Sequence, residues 1–362
     1  MIEKSALIAM SGGVDSSAAA YLMLEAGYRC LGVNMRLHPD AGAGPERLHT
    51  CCTRQDMEDA ADVAAQLGIP YEILVYTAEF QKQVVDKFIR VYEEGGTPNP
   101  CIDCNRFLKF DRLLRDAQAR GLYYVVTGHY ARIEYDESSR RYLLKKALDA
   151  AKDQSYFLYT LTQQQLAHVQ FPLGGMEKRQ VRELAEKLGL VNAEKHDSQD
   201  ICFVPDGDYA AFMERSAGKA YPPGDFLDRS GRVVGRHRGA VRYTLGQRKG
   251  LGLAMDEPVY VCGKDMAANT VTVGPESALY SREIIVEDLN WISIETLNAP
   301  LRVGAKTRSR QPEQPAQVRR ETADRVRLVF DQPQRAVTPG QAAVFYDGGI
   351  VVGGGTIAEV LT

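Results

Sequence analysis

Strand-like and helix-like segments alternate along the first 130 residues, and this alternation restricts the possible folds more than any other feature. Short apolar runs predict strands at residues 6–10, 30–36, 69–76 and 122–127. Amphipathic or Ala-rich patterns between them predict helices at residues 16–26, 56–67, 80–94 and 105–120. Repeated β-α-β units form a parallel sheet covered by helices, so we predict an α/β fold that binds ligands beyond the carboxyl ends of its strands.

The pattern of predicted strands and helices changes after residue 130. Residues 131–148 resemble a hairpin, and residues 156–169 and 179–188 have helical patterns. Glycine and proline become frequent after about residue 205, and short alternating strands dominate from about residue 280, which predicts a small β-barrel or sandwich. We therefore predict a parallel-sheet catalytic domain at residues 1–204, a small central domain at 205–279 and a C-terminal β-barrel at 280–362.

Composition sets limits on location and partners. The net charge of −3 does not indicate a nucleic-acid partner, although a local basic face can still bind nucleic acid. The N-terminus has no signal-peptide pattern, and no run approaches the roughly 20 apolar residues of a membrane span, so we expect a cytoplasmic protein without a membrane partner. An odd set of seven cysteines argues against a disulfide scaffold, and Cys30 and Cys262 lie in strand-like runs typical of core filler.

The segment SGGVDSS, from Ser11 to Ser17, follows a predicted strand and opens a helix. Its two glycines let the backbone approach a ligand closely, and the helix start favours a phosphate group. Asp15 would repel phosphate unless it holds Mg²⁺ or orients a pyrophosphate leaving group. The segment differs from the G-x₄-G-K-[ST] loop, which the chain lacks.

A second motif, TPNPCIDCN, spans residues 97–105 and leads into a helix. Asn105 is the predicted N-cap, which places Cys104 at the helix N-terminus with Arg106 and Lys109 close behind. Both features lower the pKa of a thiol below its usual value of about 8.5 and favour the thiolate. Half of a zinc site is the alternative for C-x-x-C, but neither a second C-x-x-C nor paired histidines accompany it.

A third motif, DSQDICF at residues 197–203, presents Cys202 in a polar segment, where a half-buried cysteine is the simplest interpretation. Together with GHYAR, KDQSYFLYTL and YTLGQRKGLG, however, the three motifs closely resemble the bacterial tRNA-specific 2-thiouridylases of the PP-loop ATP pyrophosphatase superfamily. This resemblance covers the whole chain. It implies that a tRNA wobble uridine is adenylated with ATP and Mg²⁺ and that its C2 oxygen is then replaced by sulfur.

The resemblance also implies roles for individual residues, with Asp15, Cys104 and Cys202 as the catalytic set. Cys202 would carry a persulfide received from a sulfur-donor protein, and Cys104 would be the partner thiol. ATP would contact Ala9, Met10, Ser11, Gly12, Gly13, Val14, Asp15, Ser16, Met35 and Gly128. The target base would face Asn99, Pro100 and Cys101, and the tRNA anticodon region would contact His129, Lys152, Asp153, Gln154, Arg308, Ser309 and Gln341.

One departure leaves an alternative open. Some relatives have aspartate where this chain has Cys101. Three thiols, from Cys101, Cys104 and Cys202, would allow a [4Fe–4S] cluster with one open iron that delivers sulfide. Two other function classes are a PP-loop amidotransferase or ligase acting on a small metabolite, and a zinc or iron–sulfur RNA-binding module without catalysis. The intact SGGVDSS segment argues against the second. The vicinal pair Cys51 and Cys52 gives only a weak signal.

Overall fold

The computed structural model describes residues 4–38, 54–193, 195, 201–204 and 206–361. Cys51 and Cys52 lie outside these described residues. The strands are β1 Ser5–Ala9, β2 Arg29–Arg36, β3 Tyr71–Val75, β4 Tyr124–Val126, β5 Ala131–Asp136, β6 Arg141–Lys146, β7 Val169–Gln170, β8 Gly224–Leu227, β9 Val233–His237, β10 Tyr260–Asp265, β11 Thr270–Gly274, β12 Tyr280–Trp291, β13 Leu301–Lys306, β14 Gln314–Arg320, β15 Val326–Arg335, β16 Ala342–Asp347 and β17 Ile350–Leu361.

The helices are mostly short, and two of them contain a wider π-helical stretch. The α-helices are α1 Val14–Glu25, α2 Arg54–Gln66, α3 Thr77–Phe80, α4 Asp86–Glu93, α5 Pro100–Asp103, α6 Leu113–Ala119, α7 Gln163–Leu166, α8 Lys178–Lys187 and α9 Tyr209–Ala217. The stretch Gln81–Val85 joins α3 to α4, and Cys104–Arg112 joins α5 to α6. Such stretches are rare and often occur at functional sites. Within the described ranges, every helix is too short or too polar to cross a membrane.

The first domain is built on a five-stranded sheet in the order β3-β2-β1-β4-β7, and all of its pairs are parallel. Strand β1 is apolar and buried along nearly its whole length, as expected for a strand covered on both faces. The carboxyl end of β1 leads directly into the SGGVDSS segment and α1. The predicted α/β fold is therefore confirmed, with the phosphate-loop motif at the ligand-binding edge of the sheet.

The remaining strands form two further units. A four-stranded sheet, β10-β11-β8-β9, makes the small central domain. The order β12-β15-β14-β13-β16-β17, with an additional β12–β17 pairing, closes a six-stranded C-terminal barrel. The predicted hairpin β5–β6 joins this barrel sheet through a pairing of Ile350 with Lys145, so the sheet continues into the sequence of the first domain.

One predicted helix is wrong. Residues 156–169 form two separate turns, the 3₁₀ turn Ser155–Leu158 and α7. Thr162 interrupts the helix because its hydroxyl accepts a hydrogen bond from the Gln165 backbone N–H, and Gln165 caps Thr162 in return. This capping box begins a new helix where the apolar pattern predicts a continuous one.

The largest apolar core is shared between domains. It includes Phe88 and Phe110 from the first domain, Val241 from the central domain, and Val344 and Tyr346 from the barrel. Because a close-packed core transmits displacement, the barrel and the first domain are held in a fixed relation where these side chains meet.

Candidate active site

The phosphate loop is shaped by one glycine that no other residue can replace. Gly12 has φ +74°, and a Cβ added there would lie 2.2 Å from the carbonyl oxygen of Asp56. The loop therefore lies against the first turn of α2. Glycine alone satisfies both the left-handed backbone and the close contact.

The start of α1 keeps its amide groups available for an anion. Gly13 is in the N-cap position, and no side chain of the described residues caps this end. The Ser16 and Ser17 hydroxyls donate to the Gly13 carbonyl oxygen at 2.9 and 3.2 Å, while Ser16 accepts from the Ser11 N–H at 3.1 Å. The serines thus fix the turn, and the first N–H groups of α1 have the geometry of a cradle for an anion.

Asp15 is engaged by two side chains that the sequence analysis missed. Its carboxylate accepts two bonds of 2.7 Å from the Lys178 ammonium and one of 2.8 Å from the Tyr130 hydroxyl. The Lys178 side chain is 9% exposed and that of Asp15 29%. Lys178 is the first residue of α8, where the helix dipole disfavours a cation. A lysine in this unfavourable position is the one feature of the sequence that points to a specific partner for it. The lysine offsets the negative charge that would otherwise repel phosphate.

The turn at residues 149–154 supports both partners of Asp15. The Asp149 carboxylate accepts from the Lys178 backbone N–H at 3.0 Å. The Gln154 side-chain oxygen accepts from the Tyr130 N–H at 2.8 Å, and the Tyr130 carbonyl accepts from the Gln154 N–H at 2.9 Å. The segment predicted to contact tRNA is therefore hydrogen-bonded to the residues that hold the phosphate loop.

Residues that follow α8 also form hydrogen bonds with the phosphate loop. The buried Asn192 amide donates to the Gly12 carbonyl at 3.0 Å and to the Ser17 hydroxyl at 2.9 Å. Lys195 forms ion pairs with Asp56 and Asp59 at 2.5 and 2.7 Å. Its pKa is raised: burial alone would lower it, but the two carboxylates outweigh that effect.

The remaining predicted ATP residues line the same edge of the sheet. A Cβ added at Gly128 would lie 2.8 Å from the Ser16 backbone nitrogen, so this strand end touches the loop. Met10 and Met35 are buried. Between them, the Asn34 amide donates to the Met10 carbonyl at 2.8 Å, while its buried side-chain oxygen has no partner among the described residues. An orphan acceptor beside an open cradle fits a nucleotide.

The helical segment that carries Cys101 and Cys104, called the cysteine helix below, begins earlier than predicted. It starts at Pro100, with Asn99 in the N-cap position, so Asn105 as N-cap is wrong. Proline is favoured at the first helical position because it has no N–H to leave unpaired. Cys101 therefore lies in the first turn, and Cys104 begins the π-helical stretch that follows. The Asn105 amide instead donates to the Phe157 carbonyl at 3.1 Å.

The three candidate thiols differ in exposure. Cys101 is exposed, whereas Cys104 and Cys202 are half-buried. Cys104 and Cys202 both pack against the largest core. Phe203, the neighbour of Cys202, places its ring edge-on against Phe80 and Phe88, with centroids 5.6 and 5.1 Å apart.

The arrangement of these thiols gives no support to the iron–sulfur alternative. Across the described parts of the chain, which include Cys101, Cys104 and Cys202, no three His, Cys, Asp or Glu side chains are grouped so that they could hold a metal ion. A [4Fe–4S] cluster with three cysteine ligands needs such a group.

A narrow cleft separates the cysteine helix from the barrel. Charged and polar groups converge on it: the Lys87 ammonium pairs with the buried Asp103 carboxylate at 2.6 Å, and Arg106 pairs with Asp288. Burial raises the pKa of Asp103, although Lys87 opposes this shift. The cleft is lined by Lys87, Val91, Pro98, Asn99, Ile102, Asp103, Arg106, Tyr159, Asp288, Gly340, Ala342 and Thr356.

The predicted tRNA contacts are half-exposed, apart from His129. Lys152, Asp153 and Gln154 lie on the turn described above, and Ser309 lies beside the exposed Arg310. Several of these side chains also make internal hydrogen bonds, as Gln154 does with Tyr130. The Arg308 guanidinium donates to the Ala336 carbonyl at 2.8 Å, and the Gln341 amide donates to the Thr97 and Pro98 carbonyls at 2.9 and 3.2 Å.

His129 is buried rather than presented to solvent. Its Nδ1 lies 2.7 Å from the Thr127 hydroxyl, and its ring packs against Phe110 and Phe171. Burial, reinforced by nearby Lys109, holds the pKa of this imidazole well below its usual range. A neutral, enclosed ring favours a packing role, so its predicted contact with tRNA gains no support from this position.

Comparison with known proteins gives one consistent pattern. Family models match three consecutive parts of the chain: "tRNA methyl transferase HUP domain" at residues 4–206, "tRNA methyl transferase PRC-barrel domain" at 210–275 and "Aminomethyltransferase beta-barrel domain" at 281–357. The chain is 49% identical over 358 residues to "tRNA-specific 2-thiouridylase MnmA" of Acetivibrio thermocellus, covering 99% of this chain and 100% of that protein. It is 47% identical over 360 residues to the protein of the same name in Clostridioides difficile, covering 99% of each.

Proposed function

Since this chain belongs to the family of tRNA-specific 2-thiouridylases, which are tRNA-uridine 2-sulfurtransferases, we propose that it thiolates the wobble uridine of tRNA in the cytoplasm. One observation carries the proposal at the level of chemistry. A phosphate cradle at the carboxyl edge of the sheet belongs to the same domain as two half-buried thiols, Cys104 and Cys202, which pack on one core. Activation by ATP followed by sulfur transfer requires an anion cradle and thiols in the same domain.

ATP binding is assigned to the loop and its neighbours. The triphosphate would lie on the amides of Gly13 to Ser16, with Lys178 offsetting Asp15. The adenosine part would face Met35 and the orphan oxygen of Asn34. The full proposed set is Ala9, Met10, Ser11, Gly12, Gly13, Val14, Asp15, Ser16, Met35 and Gly128. Mg²⁺, when bound with ATP, neutralises the developing charge of pyrophosphate.

The first step activates a poor electrophile. The C2 oxygen of uridine attacks the α-phosphorus of ATP, the bond to pyrophosphate breaks, and the base becomes an O-adenylate. AMP is then a good leaving group. The loop amides stabilise the departing pyrophosphate because they are already oriented when charge develops. Asn99, Pro100 and Cys101 are the proposed neighbours of the base.

The second step transfers sulfur with a balanced exchange of electrons. The terminal sulfur of a Cys202 persulfide attacks C2, and the C2–O bond breaks to release AMP. The Cys104 thiolate then attacks the Cys202 sulfur. The electron pair of the S–S bond passes to the sulfur on the base, which gives 2-thiouridine and a Cys104–Cys202 disulfide. A dithiol reductant restores the two thiols, and a sulfur-donor protein reloads Cys202.

The tRNA would lie across the turn at residues 152–154 and the barrel loop carrying Arg308 and Ser309. An anticodon base is already in a single-stranded loop, so moving it into a cleft costs little compared with opening a duplex. Because Arg308, Gln341 and His129 make internal contacts, the half-exposed Ser309 is the better candidate for direct contact.

The experiment follows AMP and 2-thiouridine by mass spectrometry, using unmodified tRNA, ATP, Mg²⁺ and a persulfide donor. We expect both products to depend on tRNA. Cys104→Ser and Cys202→Ser should remove 2-thiouridine while AMP formation continues; Cys262→Ser is the matched control. Full thiolation by either active-site variant would refute the persulfide route. Iron analysis of anaerobically purified protein tests the cluster alternative separately.

A further inference from the structure

The barrel strand β12 contains an irregularity that faces the cysteine helix. Its register with β17 shifts between Glu287 and Asn290, and Asp288 within this bulge has φ +50°. Aspartate, asparagine and glycine tolerate this left-handed conformation better than other residues. A bulge redirects the side chain it carries. Here it sends the Asp288 carboxylate out of the barrel wall towards the first domain.

Asp288 binds Arg106, which lies two residues after Cys104. The two guanidinium nitrogens donate to the two carboxylate oxygens at 2.5 and 3.1 Å. A bidentate pair of this kind fixes orientation as well as distance. Both side chains remain partly exposed, at 35% and 44%, so the pair contributes geometry more than stability.

The neighbours of Cys104 are anchored in three directions. Asp103 pairs with Lys87 of α4, and Asn105 donates to the Phe157 carbonyl at 3.1 Å. The segment carrying Phe157 is itself tied to β12, because the Asn290 amide donates to the Tyr159 and Leu161 carbonyls at 2.6 and 2.9 Å. Strand β12 therefore holds the helical turn that contains Cys104, here called the Cys104 turn, directly through Arg106 and indirectly through Asn105.

We infer that Asp288 is a positioning residue for sulfur transfer: the barrel carboxylate orients the Cys104 turn through Arg106. This inference rests on the proposed function, in which Cys104 must reach the Cys202 sulfur. This inference gives the barrel a second role, because the sequence analysis assigns to its residues only contacts with tRNA. None of the hydrogen bonds described for the phosphate cradle involves Arg106 or Asp288, so ATP activation should not depend on this pair.

Asp288→Asn and Asp288→Gly test the inference with two residues that tolerate the same backbone. Glu287→Gln is the control, because Glu287 is the adjacent residue and its ion pair with Arg325, at 2.6 Å, stays within the barrel. Two readouts are taken: AMP formed per 2-thiouridine, and the pH profile of Cys104 alkylation by iodoacetamide, mapped by peptide mass spectrometry with Cys262 as reference.

Both Asp288 variants should lose between about tenfold and a hundredfold in 2-thiouridine formation, as for a reacting group displaced by about 1 Å, while AMP formation stays within about twofold. The Cys104 alkylation profile should shift, and that of Cys262 should not. Unchanged thiolation and alkylation would overturn the inference, as would an equal loss in Glu287→Gln. If the wild-type chain makes no 2-thiouridine, the proposed function fails, and the alkylation profile still decides the positioning role.

Discussion

Gly12→Ala tests whether the phosphate loop depends on its close contact with α2. The substitution adds one carbon at a residue with φ +74°. That carbon would lie 2.2, 2.7 and 2.8 Å from the O, Cα and C atoms of Asp56. All three are backbone atoms, so no side-chain rotation relieves the overlap, and either the loop or the start of α2 must move.

The magnitude can be separated into two parts with a matched variant. Gly27 ends α1 with φ +79°, and a Cβ added there meets nothing within 4 Å. Gly27→Ala should therefore lose only the left-handed backbone preference, about 1–2 kcal/mol. Gly12→Ala should lose this amount plus the cost of overlap, about 1–3 kcal/mol more by analogy with overpacked cores.

Thermal unfolding and ATP turnover are the assays. For a domain of roughly 200 residues, each kcal/mol shifts Tm by about 2–4 °C, so Gly12→Ala should melt clearly below Gly27→Ala. AMP formation should be lost in Gly12→Ala and retained in Gly27→Ala at a temperature where both are folded. Equal Tm losses with full AMP formation in both variants would refute the argument for a close loop–helix contact.

Two further predictions concern the charged side chains. Among the described residues, Lys178→Met leaves the Tyr130 hydroxyl as the remaining partner of the Asp15 carboxylate, so stability should fall by about 1–3 kcal/mol, less than for a fully enclosed pair. AMP formation should fall with it, and adding Asp15→Asn should recover stability but not AMP formation; a fully active single variant would contradict this. Burial lowers the pKa of Lys264 to about 8 from 10.5, and its ammonium has no partner among the described residues. The folded state therefore disfavours the charged form, at a cost that is full below pH 8 and disappears as pH rises towards 10.5. Lys264→Met should be more stable at pH 7 by up to about 3 kcal/mol, with the advantage shrinking above pH 8; an advantage that is independent of pH in urea unfolding would contradict this origin.

The parts that the sequence predicts correctly are those encoded locally. A buried strand, two glycines and a helix start are consecutive in the chain, so the phosphate loop and its place on a parallel sheet follow from their order. The closed barrel likewise follows from alternating strands. The predicted start of the cysteine helix is wrong because Asn105 has the side chain of a typical cap, whereas Pro100 already begins the helix.

The contacts that the sequence does not predict join distant residues. Lys178 is 163 residues from Asp15, and Asp288 is 182 residues from Arg106. Neither lysine nor aspartate carries a pattern that identifies its partner. Asp288 depends in addition on a bulge, which arises from the pairing of β12 with two neighbours rather than from its own residues. Such partners become visible only when the strands and helices are assembled.

The most direct test of the account is the fate of Cys104 and Cys202 in one turnover. Enzyme loaded with persulfide on Cys202 is mixed with ATP, Mg²⁺ and tRNA in the absence of reductant, then quenched with a thiol-blocking reagent and mapped by peptide mass spectrometry. The account predicts one Cys104–Cys202 disulfide for each 2-thiouridine formed, with Cys101 blocked as a free thiol. Formation of 2-thiouridine while both Cys104 and Cys202 remain free thiols would contradict it.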